Sequence, residues 1–227
     1  MTVRRGARHA GTDPKARFSV SMADALTADI APATATPKGG SVTLVRHGEP
    51  AQSRRVRLNA EEYRAWWAGY EVKGIKPGQT PPEGLKVVAQ SADVIIASIR
   101  PRSIETTHAI CAGKAFAQDP LFVEAPLPPP RWPAWLRLSP KIWGFLARLN
   151  WVLSDKHDEV ETHRQAEQRA ADAARMVAAM ADQGQDVLIV AHGYFNQRVG
   201  SALRRQGWQC VQDQGFRYWC ARKFVRP

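Results

Sequence analysis

Apolar residues along this chain collect in short runs: Val42-Thr43-Leu44-Val45, Val94-Ile95-Ile96-Ala97 and Val187-Leu188-Ile189-Val190. Runs of this length, rich in β-branched residues and bounded by polar turns, predict strands buried on both faces. Leu121-Phe122-Val123 predicts another strand. Helical periodicity fills the intervals. Helices are expected over 59–70 with Asn59 as N-cap, over about 82–91, and over 102–113 closed by Gly113. Three more are expected over 140–153 with Pro140 in the first turn, over 159–182 closed by Gly184, and over about 194–206. The tail containing Phe216, Tyr218 and Trp219 would add a last strand. Strands alternating with helices predict an α/β fold, a three-layer sandwich with a mainly parallel central sheet.

The length of 227 residues fits one such domain with decorations, and 44% hydrophobic residues suffice for its core. Residues 1–39 are rich in Ala, Thr, Pro and Arg and are expected to form a disordered basic extension ahead of a domain over 40–227. Their acid-poor start weakly resembles an organellar transit peptide; an over-extended reading frame, with Met22 as the native start, accounts for it equally well. A Pro- and Trp-rich insertion is expected at about 125–155. It suits packing against the domain, a lid over the site, or a surface patch for a partner or a membrane interface with Arg131, Arg137, Lys141 and Arg148 as its basic rim.

The formal net charge is +11, which favours anionic partners. No basic segment with interleaved aromatics resembles a nucleic-acid module, so no nucleic-acid partner is expected. No apolar run is long enough for a transmembrane helix. Cys111, Cys210 and Cys220 are odd in number and lack zinc spacing, which suits free thiols in a reducing, cytoplasmic setting. His157 and His163 lie among Asp155, Asp158, Glu159 and Glu161, but without recognised ligand spacing; they read as a solvated helix start, and no metal or other cofactor is expected.

The chemistry lies just past the strand-like runs. Arg46-His47-Gly48 follows the first; Ser98, Arg100 and Arg102 follow the second; His192-Gly193 follows the third. In an open parallel sheet ligands sit beyond the carboxyl ends of strands, so these ends would gather arginines and histidines around one small anion.

Leu44-Val45-Arg46-His47-Gly48-Glu49 resembles the signature of the histidine phosphatase superfamily, the phosphoglycerate mutase-like fold. Ala97 to Thr107 and Val190-Ala191-His192-Gly193 resemble its second and third motifs, in the same order. The resemblance covers roughly residues 41–205. It implies a phosphoric monoester hydrolase acting without metal on a phosphorylated small molecule. His47 would be the nucleophile that forms a phosphohistidine. Arg46 and Arg102 would clamp the phosphoryl oxygens, Arg102 being selected over Arg100 by its spacing from Ser98 and Thr106. His192 would complete the phosphate pocket, and Ser98 would bond phosphate, orient Arg102 or cap the turn. Glu124 stands where the family places its general acid, with Glu49 as the alternative. The usual Pro-Leu after the serine is replaced by Ile99-Arg100, and the usual Gly-x-x-Glu-Gly continuation after the acid by prolines.

The other functions open to this motif set are phosphoprotein (phosphohistidine) phosphatase, phosphoglycerate mutase-type transfer, and non-catalytic phosphate binding. The segment from Pro50 to Arg57 does not resemble the longer substrate signature of the dedicated mutases. The sequence leaves the oligomeric state open, a dimer included.

Overall fold

A computed structural model describes residues 39–154 and 160–227. The expected N-terminal extension, apart from Gly39, and the part of the His157 cluster from Asp155 to Glu159 lie outside the described residues.

Among the described residues six strands form one sheet. β1 (Ser41–Arg46), β2 (Val94–Ser98) and β4 (Val187–Ala191) are its centre, with β3 (Ala117–Asp119) at one edge. β5 (Gln209–Asp213) and β6 (Ala221–Val225) make a hairpin at the other edge, giving the order β3-β2-β4-β1-β6-β5. β1 and β2 both run parallel to β4, with Val42 and Val94 each opposite Val187 and Val45 and Ala97 each opposite Val190. The β1/β6 and β5/β6 pairings are antiparallel. The shared register brings the carboxyl ends of β1, β2 and β4 to one level.

Alternate side chains of the central strands feed two apolar layers. Val42, Leu44, Ile96, Val187 and Ile189 pack beneath α5 (His163–Asp182) and α6 (Gly193–Arg205). Val45, Ile95, Leu188 and Val190 pack with Leu85, Ala89, Ile110 and Cys111 of α2 (Glu83–Ser91) and α3 (Pro101–Cys111). This is the expected three-layer α/β sandwich. A third cluster joins α1 (Ala60–Val72) to α4 (Pro140–Ser154) through Tyr63, Trp66, Tyr70, Trp143 and Ala147. Part of the Pro/Trp-rich segment therefore packs on the domain.

Local signals hold at several helix ends. Asn59 accepts from Glu62 N at 2.9 Å while the Glu62 carboxylate accepts from Asn59 N at 2.9 Å, a reciprocal capping box. Pro140 is the first residue of α4.

Two expectations are corrected. Leu121-Phe122-Val123 is not a strand: Pro120 opens a 3-10 turn over Pro120–Phe122, capped by Asp119 accepting from Leu121 N at 2.8 Å. Phe122 is buried in the core, and the edge strand is the polar Ala117–Asp119, which hydrophobic patterning passes over. The long helix starts at His163 rather than 159, because Thr162 and Gln165 form a capping box. The tail does add a last strand, β6, with Phe216, Tyr218 and Trp219 in the connection that precedes it.

Candidate active site

The structure brings five of the predicted residues together. Arg46 ends β1 and His47 follows it; Ser98 ends β2; Arg102 lies in the first turn of α3; His192 follows β4 and caps α6. His47, Ser98, Arg102 and His192 are all buried. The His47 and His192 rings meet edge-on with centroids 5.3 Å apart.

His47 Nδ1 lies 2.7 Å from Gly48 O. A carbonyl only accepts, so Nδ1 carries the proton and Nε2 keeps its lone pair. Burial holds the His47 pKa well below its ordinary value of 6.5, reinforced by the positive charges of Arg102 and Arg46. His192 is depressed in the same way, by burial first and Arg102 second. Both rings are neutral near pH 7. His192 Nε2 lies 2.9 Å from Ser98 Oγ, which leaves its Nδ1 without a partner.

The first two motifs are fastened to each other. Gly48 N donates to Thr106 Oγ1 at 2.9 Å, and that hydroxyl donates to Arg102 O at 2.6 Å. Arg102 directs its fork at the end of α1, donating to Tyr70 O at 2.9 Å and to a Glu71 carboxylate oxygen at 2.8 Å. Arg100 holds the other Glu71 oxygen at 2.6 Å. The two arginines thus flank one acid, and Arg102 is the buried member.

Sequence reasoning missed the walls. Arg46 stacks on the Tyr218 ring at 4.5 Å and donates to Phe216 O. Arg54 lies 5.6 Å from both the Tyr218 and Tyr70 rings, and Arg102 lies 4.4 Å from Tyr70. Each tyrosine face therefore offsets repulsion among crowded cations. The Tyr218 ring is 5.8 Å from that of His47. Trp219, with its backbone in the left-handed region at φ 61°, lies over Gly48, and its indole N–H donates to Gln79 at 2.9 Å. A Cβ on Gly48 would come 2.4 Å from the Trp219 ring, so this glycine is required by close approach. Tyr70 and Glu71 had no motif to reveal them; the aromatic cluster in the tail was the only signal for Tyr218 and Trp219.

Glu124 accepts from Phe195 N at 3.0 Å, Tyr194 N at 3.3 Å and Ala125 N at 3.0 Å. Its carboxylate thus sits on the first turn of the helix that His192 caps. Glu49, the alternative acid, is exposed and lines a cleft of about 660 Å3 with Arg54, Arg55, Lys76, Lys141 and Tyr218.

No family model matches the sequence, and no curated protein matches it significantly. Solved structures do. A mycobacterial glucosyl-3-phosphoglycerate phosphatase in complex with VO3 is 16% identical with a TM-score of 0.53, over 82% of this chain and 95% of that one. A protein described as mycobacterial hydrolase 1 is 17% identical with a TM-score of 0.53, over 82% of this chain and 91% of that one. A phosphoserine phosphatase from Entamoeba histolytica is 13% identical with a TM-score of 0.49, over 73% of this chain and 80% of that one. The chain shares the phosphoglycerate mutase-like α/β fold of the first two.

Proposed function

We propose that this protein is a phosphomonoesterase that works through a phosphohistidine on His47 and needs no metal ion. One observation carries the reading. Arg46 Nε, Arg102 Nε and His192 Nδ1 are buried polar atoms without a hydrogen-bond partner, on the groups that surround His47. Unpaired buried polar atoms are costly unless a ligand meets them, and three of them beside a neutral imidazole suit a phosphoryl group.

In this mechanism the arginines take the phosphoryl oxygens and the charge that spreads over them. If Ser98 donates its hydroxyl proton to His192 Nε2, His192 Nδ1–H becomes a further donor. The His47 Nε2 lone pair attacks phosphorus in line, the P–O bond to the leaving group breaks, and the alkoxide takes a proton from Glu124. Glu124 then removes a proton from water, which attacks phosphorus and releases phosphate and neutral His47. The carboxylate's place on the first turn of α6, next to His192, supports Glu124 over the exposed Glu49.

The substrate class is a small phosphorylated metabolite carrying further negative charge. The cleft beside Tyr218 holds Arg54, Arg55, Lys76 and Lys141 against one acid, Glu49. The test is hydrolysis of an aryl phosphate in excess chelator by the native protein and His47→Ala. Chelator-resistant turnover lost in the variant is the expected result. Equal turnover in both proteins contradicts the reading. Tight phosphate binding by a protein that hydrolyses none of a panel of phosphomonoesters would favour an anion-binding role instead.

A further inference from the structure

α4 is apolar on both sides, and among the described residues only one side is packed. Trp143, Ala147 and Trp151 are buried, with the indole N–H groups donating to Leu58 O and Glu161 O. On the opposite face Ile142, Phe145, Leu149, Val152 and Leu153 are exposed; Phe145 is 68% exposed and Leu153 is 75%. At 3.6 residues per turn these five side chains form a stripe about 100° wide. Trp132 and Trp135, just ahead of the helix, are exposed as well, Trp135 to 79%. A helix on a water-exposed surface normally turns polar residues outward, and an apolar stripe this long marks a surface that is covered in use.

The charges around it indicate what covers it. From Ala125 to Ser154 there is no Asp or Glu, while Arg131, Arg137, Lys141 and Arg148 all fall there. Arg137 is engaged by Glu62, and Arg148 stacks on Tyr194 and Trp151. Arg131 and Lys141 remain exposed, and Arg54, Arg55 and Arg57 share a groove with Ser139 at the start of the helix. The stripe is thus rimmed by cations at its N-terminal end. A second copy docked on the same face would oppose two such rims on two chains of charge +11. An anionic bilayer complements both features: apolar side chains and tryptophans enter the interface while the cations meet lipid phosphates. Among the described residues no helix is long and apolar enough to cross a membrane, so α4 would lie in the plane of the surface.

We infer that the outer face of α4, with Trp132 and Trp135, docks this protein on an anionic lipid surface. Lys141 belongs both to this helix and to the cleft beside Tyr218, so docking would set the mouth of that cleft close to the headgroups. The inference stands apart from the proposed phosphatase reaction.

The test is co-sedimentation of the full chain with phosphatidylcholine vesicles, with and without about one third phosphatidylglycerol. Phe145→Glu/Leu149→Glu and the milder Phe145→Ser/Leu149→Ser are run beside it, with circular dichroism to confirm folding. Binding to the anionic vesicles, weakened by salt and lowered at least ~10-fold in both variants, is expected. Aryl phosphate hydrolysis should be unchanged in the variants. No binding by the native chain, or equal binding by the folded variants, overturns the inference. So does a native dimer that ignores vesicles and dissociates in the variants, since the occupant would then be a second copy.

Discussion

The floor of the site and its walls are made by different means. Arg46, His47, Ser98, Arg102 and His192 lie at or within a turn of the ends of three adjacent parallel strands, held by the sheet register itself. Tyr70, Glu71, Arg54, Tyr218 and Trp219 come from a helix end and two connections, and reach the site through ring stacking and hydrogen bonds between side chains. The sheet fixes reactive groups to within the tolerance of a backbone ladder. The walls depend on contacts that can rearrange one at a time. Chemistry should therefore be intolerant of change in the floor, and the walls should shape binding more than rate.

The largest contrast is expected between the two partners of one ion pair. Arg102→Ala should lower kcat/KM by about 100–1000-fold, since the proposed clamp on the transferring group is lost. Glu71→Gln, on the wall side of the same pair, should change it less than about tenfold and act mainly on KM. Similar losses in both variants would erase the distinction.

Gly48→Ala tests where floor and wall touch. The new methyl would meet the Trp219 ring at 2.4 Å and 2.7 Å, and the indole is tethered to Gln79. A loss of about 1–3 kcal/mol in urea denaturation is expected. Turnover should drop about tenfold as the Gly48 carbonyl that orients His47 shifts. An unperturbed unfolding midpoint would show that the Trp219 roof is free to move.

The smallest effect is an absence of change. Burial and the arginines hold His47 well below 6.5, so its neutral, nucleophilic form persists under mild acid. kcat/KM for an aryl phosphate should vary less than about twofold from His47 titration between pH 7 and pH 5.5. An acid limb at the ordinary histidine value, removed by no other variant, would contradict this. Stability carries the opposite sensitivity. In the unfolded chain His47 and His192 titrate near about 6.5. Below that value the unfolded state binds protons that the folded site refuses, so stability falls with pH until the depressed folded values are reached.

This division also explains what could be read from the chain. The arrangement of the floor was legible because each of its residues follows an apolar run within a few positions, and parallel strand ends converge whatever lies between them. Arg102 is preferred to Arg100 by aligning Ser98 and Thr106 with the family pattern; the structure adds that Thr106 bonds both Arg102 O and Gly48 N. Tyr218 was not legible: it meets Arg46 and His47 only because the antiparallel β5–β6 hairpin folds back beside β1, with Trp219 in a left-handed conformation no pattern announces. The edge strand Ala117–Asp119 was missed for a related reason, as its exposed polar residues carry no burial signal, while Leu121 to Val123 were apolar because Phe122 fills the core beside a 3-10 turn.

The central claim is that His47 carries the phosphoryl group. The most direct measurement mixes the protein with an aryl phosphate in chelator, quenches in base during turnover, and maps peptides by mass spectrometry. A phosphoryl group on the peptide containing His47, absent from His47→Ala, is the predicted result. Turnover with no phosphoryl group on that peptide, or with one on another residue, would contradict the account.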